Sequence, residues 1–537
     1  LYGRNATGGV VNLITNKPVD HFEANARVEL GNYGEEKFRG MINLPIGDQL
    51  ALRVAGSTLK RDGYGKNIVT GNDADNRDLY GVRATLAWTP NDRFKASLMY
   101  DRFAEDDNRS RIGKQYCTKD NGPATVGGVG YSTAAGGLIG QVQRGLFSQG
   151  CSATSLYSAG VLGTVNSQAT LGGLFGALGG FQTGDAYAGK MQDPNVRNIE
   201  STFDPIYQAH TDIWELNFDW NVTDSLKFTS LTGYSKSDLY TRQDYNRYTP
   251  SVPFNTSPNP VNALAALGAV YGAAIYPALF PGGVVNDPQN GKFNRFTTSD
   301  ISSGQSKQWS QEFRLQSAFD GPLNFNVGAI SLDFKADDGD YYVMFNTGTA
   351  WYQVNNYLNT GNANCTSGAN CVAIDPSKDP NRLGHNYYDS YAPYHLKSNA
   401  VFGEVYYQMT DNFKWTLGLR YTDDDKKIQS HNVSLGVPGS GVLPVINQHV
   451  EFKETTGRFG FDWKPELSFT NSTLIYGFYS RGYKAGGVNT PCTNTGGIIC
   501  GPPTFAPEFV TSIEFGAKNA LLGGSLILSG SIFAYDY

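Results

Sequence analysis

The sequence predicts an all-β protein, a transmembrane antiparallel β-barrel with about 15 strands in this chain. Three observations lead there. The composition is aromatic, glycine-rich and poorly charged without being hydrophobic on average. Apolar and polar residues alternate at period two through most of the chain. The connections between alternating segments are short and long by turns.

The 537 residues carry a net charge of −6, which offers nucleic acid no basic footprint. Charged residues make up 17 % of the chain, below the usual ~25 %, yet mean hydropathy is −0.36. A helical membrane bundle needs spans of ~20 apolar residues. The longest candidate here, Ala263–Tyr276, has 14 residues and is closed by Pro277, so it reads as a short helix within a loop. Disorder lacks aromatic residues, whereas Phe, Trp and Tyr make up 13 % here.

Taken in order, alternation and turn signals place strands at 23–31, 36–45, 49–61, 77–88 and 93–106, then at 209–222, 226–241, 306–319, 323–345 and 396–409, and finally at 413–428, 447–463, 472–485, 507–520 and 525–537. The fourth sets Tyr80, Val82, Ala84, Leu86 and Trp88 against Arg83 and Thr85. In the sixth, Trp214, Leu216, Phe218 and Trp220 share one face, and Glu215, Asn217 and Asp219 the other. The eleventh opposes Phe413, Trp415, Leu417, Leu419 and Tyr421 to Lys414, Thr416, Gly418 and Arg420, and "RFGFDW" (458–463) repeats the scheme. Aromatic residues crowd the strand ends, as interfacial girdles do.

One set of connections is tight: "PIGD" (45–48), "TPND" (89–92), "TDS" (223–225), "DGP" (320–322), "TDN" (410–412) and "LLGG" (521–524), with 464–471 slightly longer. The other set is long, at 62–76, 107–208, 242–305, 346–395, 429–446 and 486–506, and only "GNYGEE" is short. Short turns on one rim and long loops on the other are the outer-membrane pattern. All six cysteines fall in the long set. Their locality favours Cys117–Cys151, Cys365–Cys371 and Cys492–Cys500 as disulfides, and hence an oxidising compartment. Zinc is the rival reading, but no pair has C-x₂-C spacing.

The segment "LYGRNATGGVVNLITNKP" (1–18) resembles the end of the plug domain of TonB-dependent outer-membrane receptors, with Gly3, Gly8, Gly9, Asn12, Thr15 and Pro18 in the places of the family's plug motif. "SQEFRLQS" (310–317), "VFGEVYYQMTDNFKWTLGLRYTDDDKK" (401–427), "YSRGYKAGGVN" (479–489) and "FAPEFVTSIEFGAKN" (505–519) resemble its barrel in matching order. The resemblance implies residues 1–20 as the C-terminal end of a plug and 21–537 as an incomplete barrel. The family's barrel has 22 strands, so the chain is expected to be truncated at both ends, with open edges near 23–31 and 525–537. It further implies a bacterial outer-membrane transporter with TonB as partner, through a TonB box absent here. The ligand implied is a ferric siderophore by default, with vitamin B12, haem, a nickel chelate or an oligosaccharide as alternatives. A monomer without cofactor, in contact with outer-membrane lipid, is expected.

A passive porin would lack the plug tail, and an outer-membrane enzyme would need a convergent triad. The sequence has no H-E-x-x-H, G-x-S-x-G, P-loop or dinucleotide fingerprint, so no catalytic or metal site is assigned. His21, His210, His385, His395, His431 and His449 are scattered, and the acidic groups at Asp337–Asp340 and Asp423–Asp425 read as solvated rim charge. Glu215, Asp219, Glu312, Arg314, Glu404, Arg420, Arg458, Asp462, Glu514 and Lys518 should face the lumen and the plug, since an Arg or Lys at the lipid midplane costs roughly 2–4 kcal/mol. Arg481, Tyr483 and Lys484, at the outer end of a strand, are candidate contacts for an anionic, aromatic ligand. The Tyr-rich segment 387–394 invites the same reading.

Overall fold

The computed structural model describes residues 13–537 apart from 112, 114–115, 134–136, 247–248, 251, 259, 261–274, 338–339, 373–387, 434–445 and 490–501. One sheet of 17 strand segments dominates it. Two pairs of segments each continue one strand line, so the described residues give the wall fifteen strands. These are β1 (Glu23–Gly31), β2 (Glu35–Ile46), β3 (Leu50–Arg61), β4 (Arg77–Asn91), β5 (Phe94–Asp107), β6 (Ile206–Thr223), β7 (Leu226–Gln243) and β8 (Thr298–Ser317). They continue as β9 (Leu323–Ala336 and Asp340–Phe345), β10 (Tyr388–Tyr391 and Tyr394–Thr410), β11 (Phe413–Val433), β12 (Ile446–Trp463), β13 (Ser472–Lys484), β14 (Glu508–Leu521) and β15 (Leu526–Asp536). Both pieces of β9 pair with β8, and both pieces of β10 with β11.

Every strand pairs antiparallel with its successor, a meander without a crossover. Alternate connections therefore share a rim, and the expected division into tight turns and long loops holds throughout. Among the described residues, β1 pairs with β2 alone and β15 with β14 alone.

Several strands outrun their expected limits on the long-loop side. β8 begins at Thr298 rather than 306, β10 at Tyr388 rather than 396, and β11 runs to Val433 rather than 428. The added part of β8, "TSDISSGQ", has little apolar alternation because its side chains meet loops rather than an apolar medium. Backbone pairing continues there regardless, from Thr241↔Ser302 to Gln243↔Asp300.

The wall has an apolar and a polar face. Trp214 and Leu216 are each 45 % exposed, and Leu419 55 %. On the opposite face Glu404 and Arg420 are nearly covered. Register explains one pairing that spacing alone conceals. Glu404 stands opposite Gly418, and Gly418 opposite Arg458. With no side chain between them, the Arg458 guanidinium reaches over β11 to Glu404 at 2.6 Å, while Tyr406 donates to the same carboxylate at 2.7 Å. Arg53 likewise reaches Glu23 at 3.0 Å across the intervening strand, here past the side chain of Asn43. The amide of Asn43 is fully buried and holds the backbone of Val19 and His21 on this polar face.

The tightly packed core lies in the loops rather than in the wall. Phe181, Tyr187, Phe254, Tyr276, Phe280, Phe296 and Phe345 form one cluster, drawn from connections 108–205 and 244–297 and the end of β9. Helices α1 (Leu138–Leu146), α2 (Leu171–Leu178), α3 (Ile275–Leu279) and α4 (Asn346–Thr360) belong to this cap. Of the segment Ala263–Tyr276, only Ile275 and Tyr276 are described, within α3. Cys117–Cys151 and Cys365–Cys371 are disulfide-bonded as expected, while Cys492–Cys500 lies outside the described residues.

The loop 62–76 is tied to the cap by Asp204, whose carboxylate accepts from Thr70 at 2.7 Å, Asn67 at 2.9 Å and Asn72 at 2.6 Å. Burial pushes its carboxyl up, but these three donors pull it further down, to a net value below the ordinary one. A depressed carboxyl stabilises the fold above its unfolded pKa of ~3.9 and loses that contribution as pH falls through the folded value. Hydrogen-exchange protection of Asn67–Asn72 should therefore hold at neutral pH and drop below about pH 4, and Asp204→Asn should remove that drop.

Removing Arg458 leaves Glu404 covered and without its cation. Arg458→Met should destabilise the wall by about 2 kcal/mol, the partial exposure of the guanidinium reducing the full buried-pair cost. Glu404→Gln in the same chain should restore most of it. The check is the temperature at which the folded band disappears on unheated versus heated gels.

Candidate functional site

The ten charged residues expected inside all lie on the polar face. Asp219 takes Lys227 at 3.1 Å and Thr229 at 2.7 Å, Glu312 takes Arg314 at 2.7 Å, and Asp462 takes Lys414 at 2.9 Å. Asn217 donates to Glu215, Tyr476 donates to Glu514 at 2.7 Å, and Lys518 sits 5.7 Å from the Tyr476 ring centre. Arg420 donates to Thr422 at 3.0 Å and lies over Phe402. Of the plug-motif residues, Thr15 and Pro18 lie in an irregular run before β1, and Gly3, Gly8, Gly9 and Asn12 fall outside the described residues.

Arg481, Tyr483 and Lys484 stand together at the outer end of β13, each with a local partner. Arg481 is exposed and lies 4.3 Å from the centre of the Phe509 ring, and Lys484 pairs with Glu508 at 3.0 Å. Tyr483 is buried and donates to Asp424 at 2.5 Å. His395 meets Asp333 at 2.9 Å. His449 meets Asp425 at 2.8 Å with Glu451 beside them, a grouping able in principle to ligate a metal. Lys453 and Lys427 already stand within 4 Å of these carboxylates, so the group reads as an ion-pair cluster. His385 lies outside the described residues.

Where cap and wall meet, a cavity of about 460 Å³ opens, lined by Thr170, Leu171, Gly172, Tyr245, Asn246, Phe296, Thr298, Tyr341, Val343 and Phe345. Thr298, Tyr341, Val343 and Phe345 belong to the polar face of β8 and β9, in register as Thr298↔Phe345, Asp300↔Val343 and Ser302↔Tyr341. Its frame is held by hydrogen bonds just outside the lining. Thr298 donates to Asp244 at 2.8 Å, Asn246 donates to the Tyr187 hydroxyl at 3.1 Å, and Tyr341 donates to Asp300 at 3.2 Å. Arg111 neutralises Asp300, and the Thr170 hydroxyl caps α2 by accepting from Gly173 at 3.2 Å. A Cβ on Gly172 would come within 2.7 Å of Phe296 and 2.9 Å of Phe345. Only a residue without one lets α2 approach the two rings. The site can take a flat, largely apolar ligand with hydroxyl and amide contacts at its edge.

The family model "TonB dependent receptor-like, beta-barrel" matches residues 156–537. The chain belongs to that family. Three solved structures similar in fold agree with it. The siderophore receptor PiuA of Acinetobacter baumannii is 14 % identical, with a TM-score of 0.56 over 99 % of this chain and 59 % of that one. The ferric-catecholate import receptor Fiu of E. coli K12, in its open form, is 14 % identical, with a TM-score of 0.54 over 99 % and 62 %. The ferric yersiniabactin uptake receptor FyuA of Yersinia pestis gives 14 %, 0.54, 99 % and 57 %. The chain thus spans about three fifths of the length of these receptors.

As a TonB-dependent receptor barrel, the wall belongs to the outer membrane, with its apolar face to lipid and its polar face to the lumen. The family is one of receptors and not of enzymes. The cavity is then on the lumen side, beyond the lipid-covered zone and beneath the cap. Sequence reading missed Tyr245, Asn246, Phe296, Tyr341 and Phe345 because no alternation marks them. The available signal was the aromatic content of "FNRF" (293–296) and "DYYVMF" (340–345).

A side chain at Gly172 overpacks this junction. Gly172→Val should displace Phe296 and Phe345, reduce the cavity in a structure of the variant, and destabilise the cap by about 2 kcal/mol.

Proposed function

We propose that this chain is the wall and loop cap of an active outer-membrane transporter that captures a ferric siderophore. In this reading TonB, fed by the inner-membrane proton gradient, drives release of the ligand into the periplasm. The observation that carries the reading is the aromatic cavity on the lumen side beneath the cap. It stands where a ligand arriving from outside would first meet a shaped surface. Tyr245 and Tyr341 give flat faces for the aromatic part of a chelator, backed by the buried rings of Phe296 and Phe345, and Asn246 gives a polar edge. Arg481 shares the outward row of Tyr479 and Ile513 and Lys484 is paired with Glu508, so neither adds free charge to the cavity, and the ten lumen residues hold the plug in its seat. Family membership supports the transport reading. The similar structures named for siderophores favour iron chelates over the other ligands of the family.

The test is uptake of radiolabelled ferric siderophores by the whole receptor in a strain lacking its own. At least one catecholate or mixed-type chelate should be taken up in a TonB-dependent manner. Tyr245→Ala with Tyr341→Ala should weaken ligand binding about tenfold at unchanged surface level. Uptake that ignores TonB, or binding unaffected by the paired substitution, would contradict the reading.

A further inference from the structure

We propose that Lys307 and Lys335, with Lys236 beside them, bind the phosphate of a lipid headgroup on the outside of the wall. The three lysines stand directly opposite one another on adjacent strands, Lys236↔Lys307 and Lys307↔Lys335. Residues so paired have Cα atoms about 4.5–5.5 Å apart, and like charges in that relation repel. The same row runs on through Asp212 on β6 to Arg102 on β5.

Its depth is set by the neighbouring row. Two residues nearer the tight turns, Tyr100, Trp214, Tyr234 and Trp309 stand directly opposite one another. Trp214, Tyr234 and Trp309 are exposed on the lipid face, as an interfacial girdle requires. The lysines lie one step, about 7 Å along the strand, on the cap side of that girdle. That is the level of the headgroups.

The carboxylates on this face answer other members of the row, Lys236 included, and leave Lys307 and Lys335 without a partner among the described residues. Asp212 pairs with Arg102 at 3.1 Å, Asp238 with Lys236 at 3.3 Å, and Asp333 with His395 at 2.9 Å. Among the described residues, Lys307 and Lys335 have neither a carboxylate within 4 Å nor a hydrogen-bond partner, and both are exposed. Two adjacent, unanswered ammonium groups at headgroup depth call for an external anion, and the lipid phosphate is the anion present at that level. Ammonium–phosphate hydrogen bonds are charge-assisted on both sides.

The test titrates the full chain in zwitterionic detergent with phosphatidic acid, phosphatidylcholine or inorganic phosphate, reading bound molecules by native mass spectrometry. The phosphate monoester lipid should bind in preference to phosphatidylcholine. Lys307→Gln with Lys335→Gln should weaken it about 25-fold, near fivefold per lysine. Lys307→Arg with Lys335→Arg should retain it. Without phosphatidic acid, the Gln variant should unfold at a higher temperature than the parent, because repulsion is relieved, so a folding defect is told apart from lost binding. Equal phosphatidic acid binding by parent and Gln variant, displacement by an equal concentration of inorganic phosphate, or a lower unfolding temperature would each overturn the proposal.

Discussion

A backbone N–H or C=O left without a partner in lipid costs several kcal/mol, and the rest of the structure follows from that constraint. Each lipid-crossing strand must be paired along its length, and the least demanding arrangement is a meander in which each strand takes its successor as neighbour. Among the described residues the first fourteen strands each do this, and β15 pairs back onto β14. Strict antiparallel order sends alternate connections to opposite rims. It also fixes side-chain parity, so that one face can be given to lipid and the other to charge.

The two faces are stabilised by different means. On the lipid side the wall needs little mutual packing, and its aromatic rings serve to mark depth. On the lumen side the charges are answered through register. Glu404 and Arg458 meet only because Gly418 stands between them. The interior in the ordinary sense, with Phe181, Tyr187, Tyr276 and Phe296 almost wholly buried, was moved into the cap. There water is present outside, and burial of apolar surface is again the driving force. The aromatic cavity lies where these two regimes meet, between a strand pair and a helix docked through Gly172.

The strands were legible because period-two alternation between lipid and lumen is strong in segments such as "IWELNFDW" and "FKWTLGLRY". Their outer extensions were not. Where β8 rises past the lipid into "TSDISSGQ", the backbone stays paired but the side chains no longer alternate between two media. The disulfides Cys117–Cys151 and Cys365–Cys371 were legible from proximity in sequence. The cavity was hidden because Thr170, Tyr245, Phe296 and Phe345 come from separate connections and from the end of a strand, and no local pattern joins them. The face of Glu404 could be read, but its partner could not, since the partner depends on the register of three strands.

Side-chain parity through the wall is the most direct measure of the account. Single nitroxide labels at Leu216, Phe313 and Leu419, and at Glu215, Glu312 and Arg420, in the protein reconstituted in bilayers, report contact with lipid-dissolved oxygen against a water-soluble nickel chelate. The account gives high oxygen and low nickel accessibility to the first three and the reverse to the second three, alternating residue by residue along β6, β8 and β11. Equal accessibility within each adjacent pair, or nickel access at Leu216 and Phe313, would contradict it.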